Sequence, residues 1–441
     1  MTDTIKARPG PDEYAPGYEG WRSTALIIFL VLLNILNFID RQLLQSFVVD
    51  VRRDLNLSYF QFTLLTGLFF SISYSVAGVF MGMLADRFAR PKLIAGGLFV
   101  WSGLTAVCGM ATNFAQLATA RAFVALGEAT LSPSALSMVS DAFPERRHGL
   151  MSGIYYLGIP IGAGGSLLVA GILGPLIGWR GCFLLLGVLG IIASVAVLLL
   201  RDPPRRSAAS DASPPPLSQA INVLMDVTKR SAPLRYLLLG AGLAIFSQGG
   251  LVLDQAWLVE ERGYEISRAQ TIFGILFLVA GVVGTIVGGQ LSDMAHARFK
   301  GGRMVFMALA FALVTPVGIL YRFLPPDTPF FYLAAIIGSI AIMLPYGPIV
   351  SSASELAPSH GRAMVIAFTV LVMALFGTAF GNAFAGWLSD AFIRAGFDQP
   401  LTWALLVSGA VGLLSIPCFW MASRTYDSGK EAVLQMERAG Q

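Results

Sequence analysis

Gly82-Met83-Leu84-Ala85-Asp86-Arg87-Phe88-Ala89-Arg90-Pro91-Lys92 joins two long apolar runs, and how it is read decides what kind of fold this chain has. Asp86 closes the first run, where its charge opposes the helix dipole, so it should find a helix N-terminus or a base elsewhere. Gly82, one turn earlier, lets a neighbouring helix come close. The bases Arg87, Arg90 and Lys92 mark the loop as one held on the cytoplasmic side of a bilayer. The pattern is a short basic turn between membrane helices.

Working outward, apolar runs recur at 23–49, 59–84, 91–111, 114–140, 149–173, 179–200, 234–257, 268–291, 303–323, 329–354, 362–388 and 401–422, here helices 1 to 12. Each is long enough to cross a hydrocarbon core of roughly 30 Å as a helix. With 55% hydrophobic and 13% charged residues over 441 positions, the chain has too little polar surface to cover a soluble globule. The fold class expected is an all-α membrane protein of twelve helices in two pseudo-symmetric six-helix bundles. Its parts are a tail (1–22), the first bundle (23–200), a Pro-rich linker (201–233), the second bundle (234–424) and a second tail (425–441). No short apolar segment with a small-residue cleavage site precedes helix 1, so no signal peptide is read. With the N-terminus inside, roughly 21 of the 30 Lys and Arg fall in cytoplasmic segments. Both termini are then cytoplasmic, and a bacterial inner membrane is the expected location. That bias accounts for the basic charge without nucleic acid.

The halves repeat. Ser58 and Gln61 open helix 2 as a capping box, and Ser267 and Gln270 are expected to open helix 8 in the same way. Gly82 and Asp86 close helix 2 as Gly289 and Asp293 close helix 8; Asp141 and Pro144 follow helix 4 as Glu355 and Pro358 follow helix 10. Landmarks in one order imply a duplicated six-helix unit. Ser58 also completes a glycosylation triplet with Asn56, but the helix-cap reading takes precedence. Cys108, Cys182 and Cys418 sit in apolar runs without metal or disulfide spacing and read as packing residues.

Over almost its whole length the chain resembles the major facilitator superfamily. The stretch 82–92 is close to that family's G-x-x-x-D-R-x-x-R-[RK] signature, with Pro91 displacing the last base by one place. The resemblance implies secondary transport by alternating access. It also implies a conformational gating role for Gly82, Asp86, Arg87, Arg90 and Lys92, with Asp86 facing the start of helix 11 near Arg362. Helix 5 resembles the glycine-rich fifth helix of the superfamily's antiporters, yet Ala163 stands where a proline is expected. Its stripe Gly158, Gly162, Gly164, Gly165, Gly171 and Gly174, and Gly377, Gly381 and Gly386 on helix 11, read as close-packing surfaces.

Four charges lie at membrane depth, Asp40 and Arg41 on helix 1 and Arg121 and Glu128 on helix 4. A charge near a bilayer centre costs at least about 2.5 kcal/mol, so such residues are kept for a purpose. Asp40 and Arg121 reach similar depth on neighbouring helices and are expected to neutralise each other. Asn34, Asn37 and Arg41 share one face of helix 1, and Glu128 shares a face with Arg121. The cap-box offset between halves sets Gly249 and Gly250 opposite Asp40 and Arg41, leaving the second half uncharged there. His148, His296 and His360 fall in loops, so Asp40 and Glu128 are the candidate proton carriers.

Asn37-Phe38-Ile39-Asp40-Arg41, with Arg121, Gly127-Glu128-Ala129 and Ser132-Pro133, resembles the spinster-type transporters and the neighbouring organic-anion symporters. The resemblance implies proton coupling through Asp40 and Glu128. Arg41 and Arg121 would be their partners or hold a substrate headgroup. Phe69, Phe70, Tyr74, Tyr155, Tyr156, Phe246, Gln248 and Trp257, with Asn34 and Asn37, are the expected cavity lining. The expected substrate is an amphipathic, lysolipid-like or organic-anion solute, with small hydrophilic anions or multidrug export as alternatives. The proton is the expected coupling ion, with no other cofactor and with membrane lipid as the surrounding partner; the protein is expected to act as a monomer. An enzyme is excluded because no His cluster, paired metal carboxylates or nucleophile motif lies at depth. A channel is excluded because the second half is too apolar there, and a receptor because the longest loop is only a linker.

Overall fold

The structure, a computed structural model, describes residues 13–205, 217–358 and 361–439. Inner and outer helix ends are designated by the orientation that the charge bias predicts. Among the described residues the ordered elements are helical, and eleven stretches are long and apolar enough to span a membrane. One of them, Glu145–Val197, holds Gly178 at φ 68° and ψ 172°, a conformation that L side chains rarely adopt. The chain turns there, so 145–177 and 179–197 are helices 5 and 6 and the total is twelve.

Two compact units are formed, Met1–Leu43 with Ile72–Ser213, and Leu44–Ser71 with Pro214–Gln441. In the first, glycines set the helix contacts. A Cβ added at Gly162 would come 2.5 Å from Phe38 Cβ and 2.8 Å from the Ile35 carbonyl, and one at Gly127 2.8 Å from Trp101 Cβ. Helix 5 therefore seats on helix 1, and helix 4 on helix 3, by backbone approach. In the second unit Gly377 and Gly381 seat helix 11 on Ile245 and Phe246 of helix 7, which is the same device. Both stripes are packing surfaces.

Helix 2 begins at Tyr59 behind the expected capping box, with Ser58 accepting from Gln61 N–H and the Gln61 side chain accepting from Ser58 N–H. Helix 8 departs from expectation. Its N-cap is Glu265, whose carboxylate accepts from the N–H groups of Ser267 (3.0 Å) and Arg268 (2.7 Å). A full negative charge at a helix start outcompetes the Ser267 hydroxyl. Glu265 stands at the same offset from Ser58 as Gly289 from Gly82 and Asp293 from Asp86. The corrected register sets Ser247 and Gln248, not Gly249 and Gly250, opposite Asp40 and Arg41. Those two glycines instead open a 3₁₀ turn, Gly249–Leu253, in helix 7.

The two N–H bonds hold the Glu265 carboxyl below the usual carboxylate range. A depressed folded-state pKa contributes stability above the unfolded value, and that stability is lost as pH falls through the folded one. Thermal melting should therefore show Glu265→Ala below the parent at pH 7, with the gap closing once the pH falls well below 4.5. A pH-independent gap would refute the charged cap.

Two further helices lie outside the bilayer segments. Leu217–Arg230 occupies the end of the linker, and Tyr426–Ala439 the C-terminal tail. Cys108 and Cys182 are buried and Cys418 partly so, all as free thiols.

Candidate functional site

The membrane charges gather inside the first unit. Helix 1 places Asp40 and Arg41 on consecutive positions, about 100° apart around the axis, so they meet different neighbours. Arg41 turns to helix 4, where its Nε and Nη2 both donate to Glu128 Oε2 at 2.9 Å. Its guanidinium also stacks on Phe38 (4.8 Å) and Tyr74 (4.5 Å). Glu128 is fully buried, whereas the Arg41 side chain keeps 20% of its surface. The base of the pair is thus the member within reach of a solute.

The Arg121 charge acts favourably on the Asp40 carboxylate, and Arg121 Nη2 donates to the Arg41 carbonyl at 3.1 Å. The hydrogen bond to Asp40 Oδ2 comes from the Thr105 hydroxyl of helix 3, at 2.6 Å. The 100° divergence between Asp40 and Arg41 is the reason: the turn that aims Arg41 at helix 4 aims Asp40 at helix 3. Thr105 escaped notice because one hydroxyl in an apolar helix is read as satisfied on the preceding turn; here the Trp101 carbonyl, 3.0 Å away, competes with Asp40 for its single hydrogen.

Each carboxylate uses one oxygen and leaves the other, Asp40 Oδ1 and Glu128 Oε1, buried without a hydrogen-bond partner among the described residues. Asn34 Oδ1 is in the same position, and the Asn37 amide lies beside the Glu128 carboxylate. Native proteins leave few such groups, and each is accounted for by ordered water, an ion, local strain or a functional role. Asn34 donates through Nδ2 to the Tyr155 carbonyl at 2.7 Å. Tyr155 is buried edge-on to Tyr156 with ring centres 5.5 Å apart, and its hydroxyl lies 3.4 Å from Ser132 Oγ. Tyr156 is exposed. Asn34, Asn37, Asp40, Arg41, Tyr74, Arg121, Glu128, Tyr155 and Tyr156 therefore all belong to the first unit.

The remaining lining candidates lie in the second unit. Phe246 packs against Phe376 (6.2 Å) and Phe384 (5.3 Å), Gln248 is half-buried, and Phe70 is buried. Trp257 is a packing residue: it is fully buried, donates to Thr402 Oγ1 at 2.8 Å and lies beneath the Arg322 guanidinium.

The basic loop divides by role. Arg87 and Lys92 are exposed, whereas Arg90 is completely buried. Its guanidinium pairs with Asp141, Asp202 Oδ1 (2.7 Å), Ser137 Oγ (2.9 Å) and the Pro203 carbonyl (2.6 Å), while its N–H donates to Asp202 Oδ2 at 3.0 Å. A Cβ at Gly82 would meet nothing within 4 Å among the described residues. The side chains of Asp86 and of Ala363, at the start of helix 11, lie outside what the structure describes. The second half repeats the Arg90 arrangement: Arg303 pairs with Glu355 and with Asp293 (2.8 Å), and Tyr426 of the tail donates to Glu355 at 2.5 Å. Asp141 and Glu355, seen in the sequence only as landmarks, are thus the acids that anchor helices 3 and 9.

A model of the Major Facilitator Superfamily matches residues 30–377. The chain is 28% identical over 419 residues to an MFS-type efflux pump of Mycolicibacterium smegmatis, covering 94% of this chain and 96% of that protein. To the sphingosine-1-phosphate transporter SPNS2 of Danio rerio it is 22% identical over 447 residues, covering 92% and 86%. A solved bacterial homolog of the human lysosomal transporter spinster, inward-facing and unoccupied, superposes with a TM-score of 0.77 at 24% identity, covering 93% and 98%; this is a likeness of fold.

Proposed function

The chain belongs to the Major Facilitator Superfamily, and from that premise we propose that it is a proton-coupled secondary transporter for an anionic, amphipathic, lysolipid-like solute. That it is a multi-pass membrane transporter related to spinster proteins follows from the family and the relatives. Coupling and substrate are the proposal, and one observation carries it. A buried carboxylate, Glu128, neutralises an arginine that keeps a fifth of its side chain open and is flanked by aromatic rings.

Protonation of Glu128 removes the countercharge from Arg41. The guanidinium is then free to pair bidentately with a phosphate or carboxylate headgroup, while Phe38, Tyr74 and Tyr156 offer apolar surface to the rest of the solute. Loss of the solute restores the demand for a countercharge and expels the proton. Solute and proton are coupled because each alone leaves a buried charge unpaired. Asp40, held by Thr105, is the second carboxylate of the network. We place the basic loops and both termini in the cytoplasm of a bacterial cell, on the charge bias.

The test is reconstitution in liposomes with an interior pH dye. Lysophospholipids and sphingoid phosphates should move with measurable proton flux, and small hydrophilic acids should not. Proton flux with hydrophilic acids alone would move the substrate class to the organic-anion symporters; solute movement without proton flux would refute coupling.

A further inference from the structure

The pattern Gly-x-Leu-x-Asp closes helix 2 (Gly82 to Asp86) and helix 8 (Gly289 to Asp293), and it occurs a third time at the outer end of helix 11, as Gly386-Trp387-Leu388-Ser389-Asp390. An acid in the last turns of a helix opposes that helix's dipole, so Asp390 is kept for something outside it. What it meets is the start of helix 2. Asp390 Oδ1 accepts from Tyr59 N–H at 3.0 Å and Oδ2 from Phe60 N–H at 2.9 Å, one carboxylate oxygen for each of the first two helical donors. Ser58 takes the third, Gln61 N–H. A helix start that sequence reading assigns to a local capping box is therefore completed by an acid about 330 positions away.

The same contact is built around Gly386, one turn before Asp390 and on the same helix face. A Cβ there would come 2.7 Å from the Tyr59 carbonyl and would strike the Thr63 side chain. Three further contacts, all within the second unit, hold the hairpin 44–71, and a fourth braces it internally. The Tyr59 hydroxyl donates to Glu260, Arg52 lies 3.4 Å from Glu260 Oε1 and stacks 3.2 Å over the Tyr59 ring, and Gln270 Nε2 donates to the Ser46 carbonyl at 2.8 Å. Gly67 breaks helix 2 just beyond, where a Cβ would be 3.0 Å from Asn382 Cβ. The hairpin is continuous in sequence with the first bundle, yet it packs with the second.

We propose that Gly386 and Asp390 form an outer latch, in which the Asp390 carboxylate caps helix 2 and holds the hairpin 44–71 on helix 11, and that its release is a step of the transport cycle. The latch is single-sided: the outer end of helix 5, the counterpart of helix 11, reads Gly171-Ile172-Leu173-Gly174-Pro175 and carries no acid. Charge-assisted bonds from two backbone donors to one carboxylate suit the purpose, being strong when made and lost together when the helix lifts.

The experiment uses the full chain in detergent with Cys108, Cys182 and Cys418 replaced by Ala, and it needs no substrate. The latch reporter is Thr66→Cys, a buried position within the hairpin itself. The control reporter, in a separate protein, is Ala241→Cys, in the core of the second unit away from the latch. Asp390→Ala should raise the rate at which a charged thiol reagent labels the latch reporter at least about 10-fold, and it should leave the control reporter unlabelled. Gly386→Ala, through its clash with Thr63, should speed labelling of the latch reporter as well. Should Asp390→Ala yield no folded protein, Asp390→Asn, which keeps one acceptor oxygen, carries the same comparison. Unchanged labelling of the latch reporter in the aspartate variant would overturn the latch. So would labelling of both reporters together, which would make Asp390 a general stabiliser.

Discussion

Glu128→Gln is expected to lower pH-gradient-driven uptake by at least about 100-fold, equivalent to about 2.7 kcal/mol, while solute exchange without a gradient persists. The amide keeps the volume of the side chain and can still accept from Arg41, but it neither carries charge nor exchanges a proton. The protein is held as if permanently protonated, with Arg41 available to solute and no means of returning to the charged pair. Glu128→Ala should be worse for stability, because it strands the guanidinium. Removing one member of a buried pair costs about 3–5 kcal/mol. The lower end is expected here, since Arg41 keeps a fifth of its side chain open and rests on Phe38 and Tyr74.

The double variant Arg41→Gln with Glu128→Gln separates coupling from a permanent lock. If the pair only locks two helices together, removing both charges should restore stability and uptake alike. If the pair carries the coupling, stability returns and gradient-driven uptake does not. Uptake undiminished in Glu128→Gln, or regained in the double variant, would sink the proton-coupling role. Asp40→Asn, which retains an acceptor for Thr105, asks the same question of the second carboxylate.

Arg90→Ala is expected to cost about 3–5 kcal/mol, seen as a fall of about 10 °C in thermal midpoint for a unit of this size. The side chain has no exposed surface and serves four separate acceptors: Ser137 on helix 4, Asp141 at its end, and Asp202 and the Pro203 carbonyl on the residues that leave helix 6. Truncation leaves Asp141 nearly buried beside an empty space. It spares Asp202 in part, because that carboxylate still has the Arg90 N–H and is about a quarter exposed. Arg90→Lys should recover only a minor share, since an ammonium cannot reach divergent acceptors as a planar fork does. A thermal midpoint unchanged in Arg90→Ala, with altered transport, would return Arg90 to the gating role that the motif suggests.

The contrast between Arg90 and its neighbours shows how far a motif can be read. Arg87, Arg90 and Lys92 are equivalent as letters in a basic loop, yet two are solvated and one is an anchor. The difference lies in Asp141, Ser137 and Asp202, which no spacing rule connects to position 90. Glycines were more legible. Gly158, Gly162, Gly377 and Gly381 pack where a small-residue stripe predicts, because a missing side chain has few other uses in a membrane helix. Caps were legible where one candidate stood alone, as at Ser58. They misled where two competed, as at Glu265 and Ser267, because the stronger acceptor wins by charge.

The sequence by itself determined the membrane class, the helix count, the duplicated halves and the four charges confined to one half. These follow from hydropathy, helix geometry and the cost of charge in hydrocarbon, which act along a single chain segment at a time. Tertiary structure alone decided that Arg41 pairs with Glu128, that Asp40 rests on Thr105, that Arg90 is an anchor and that Asp390 caps helix 2. Each of those depends on how far one helix is rotated against another. That rotation is set by close packing over many residues and leaves no mark at the positions it brings together.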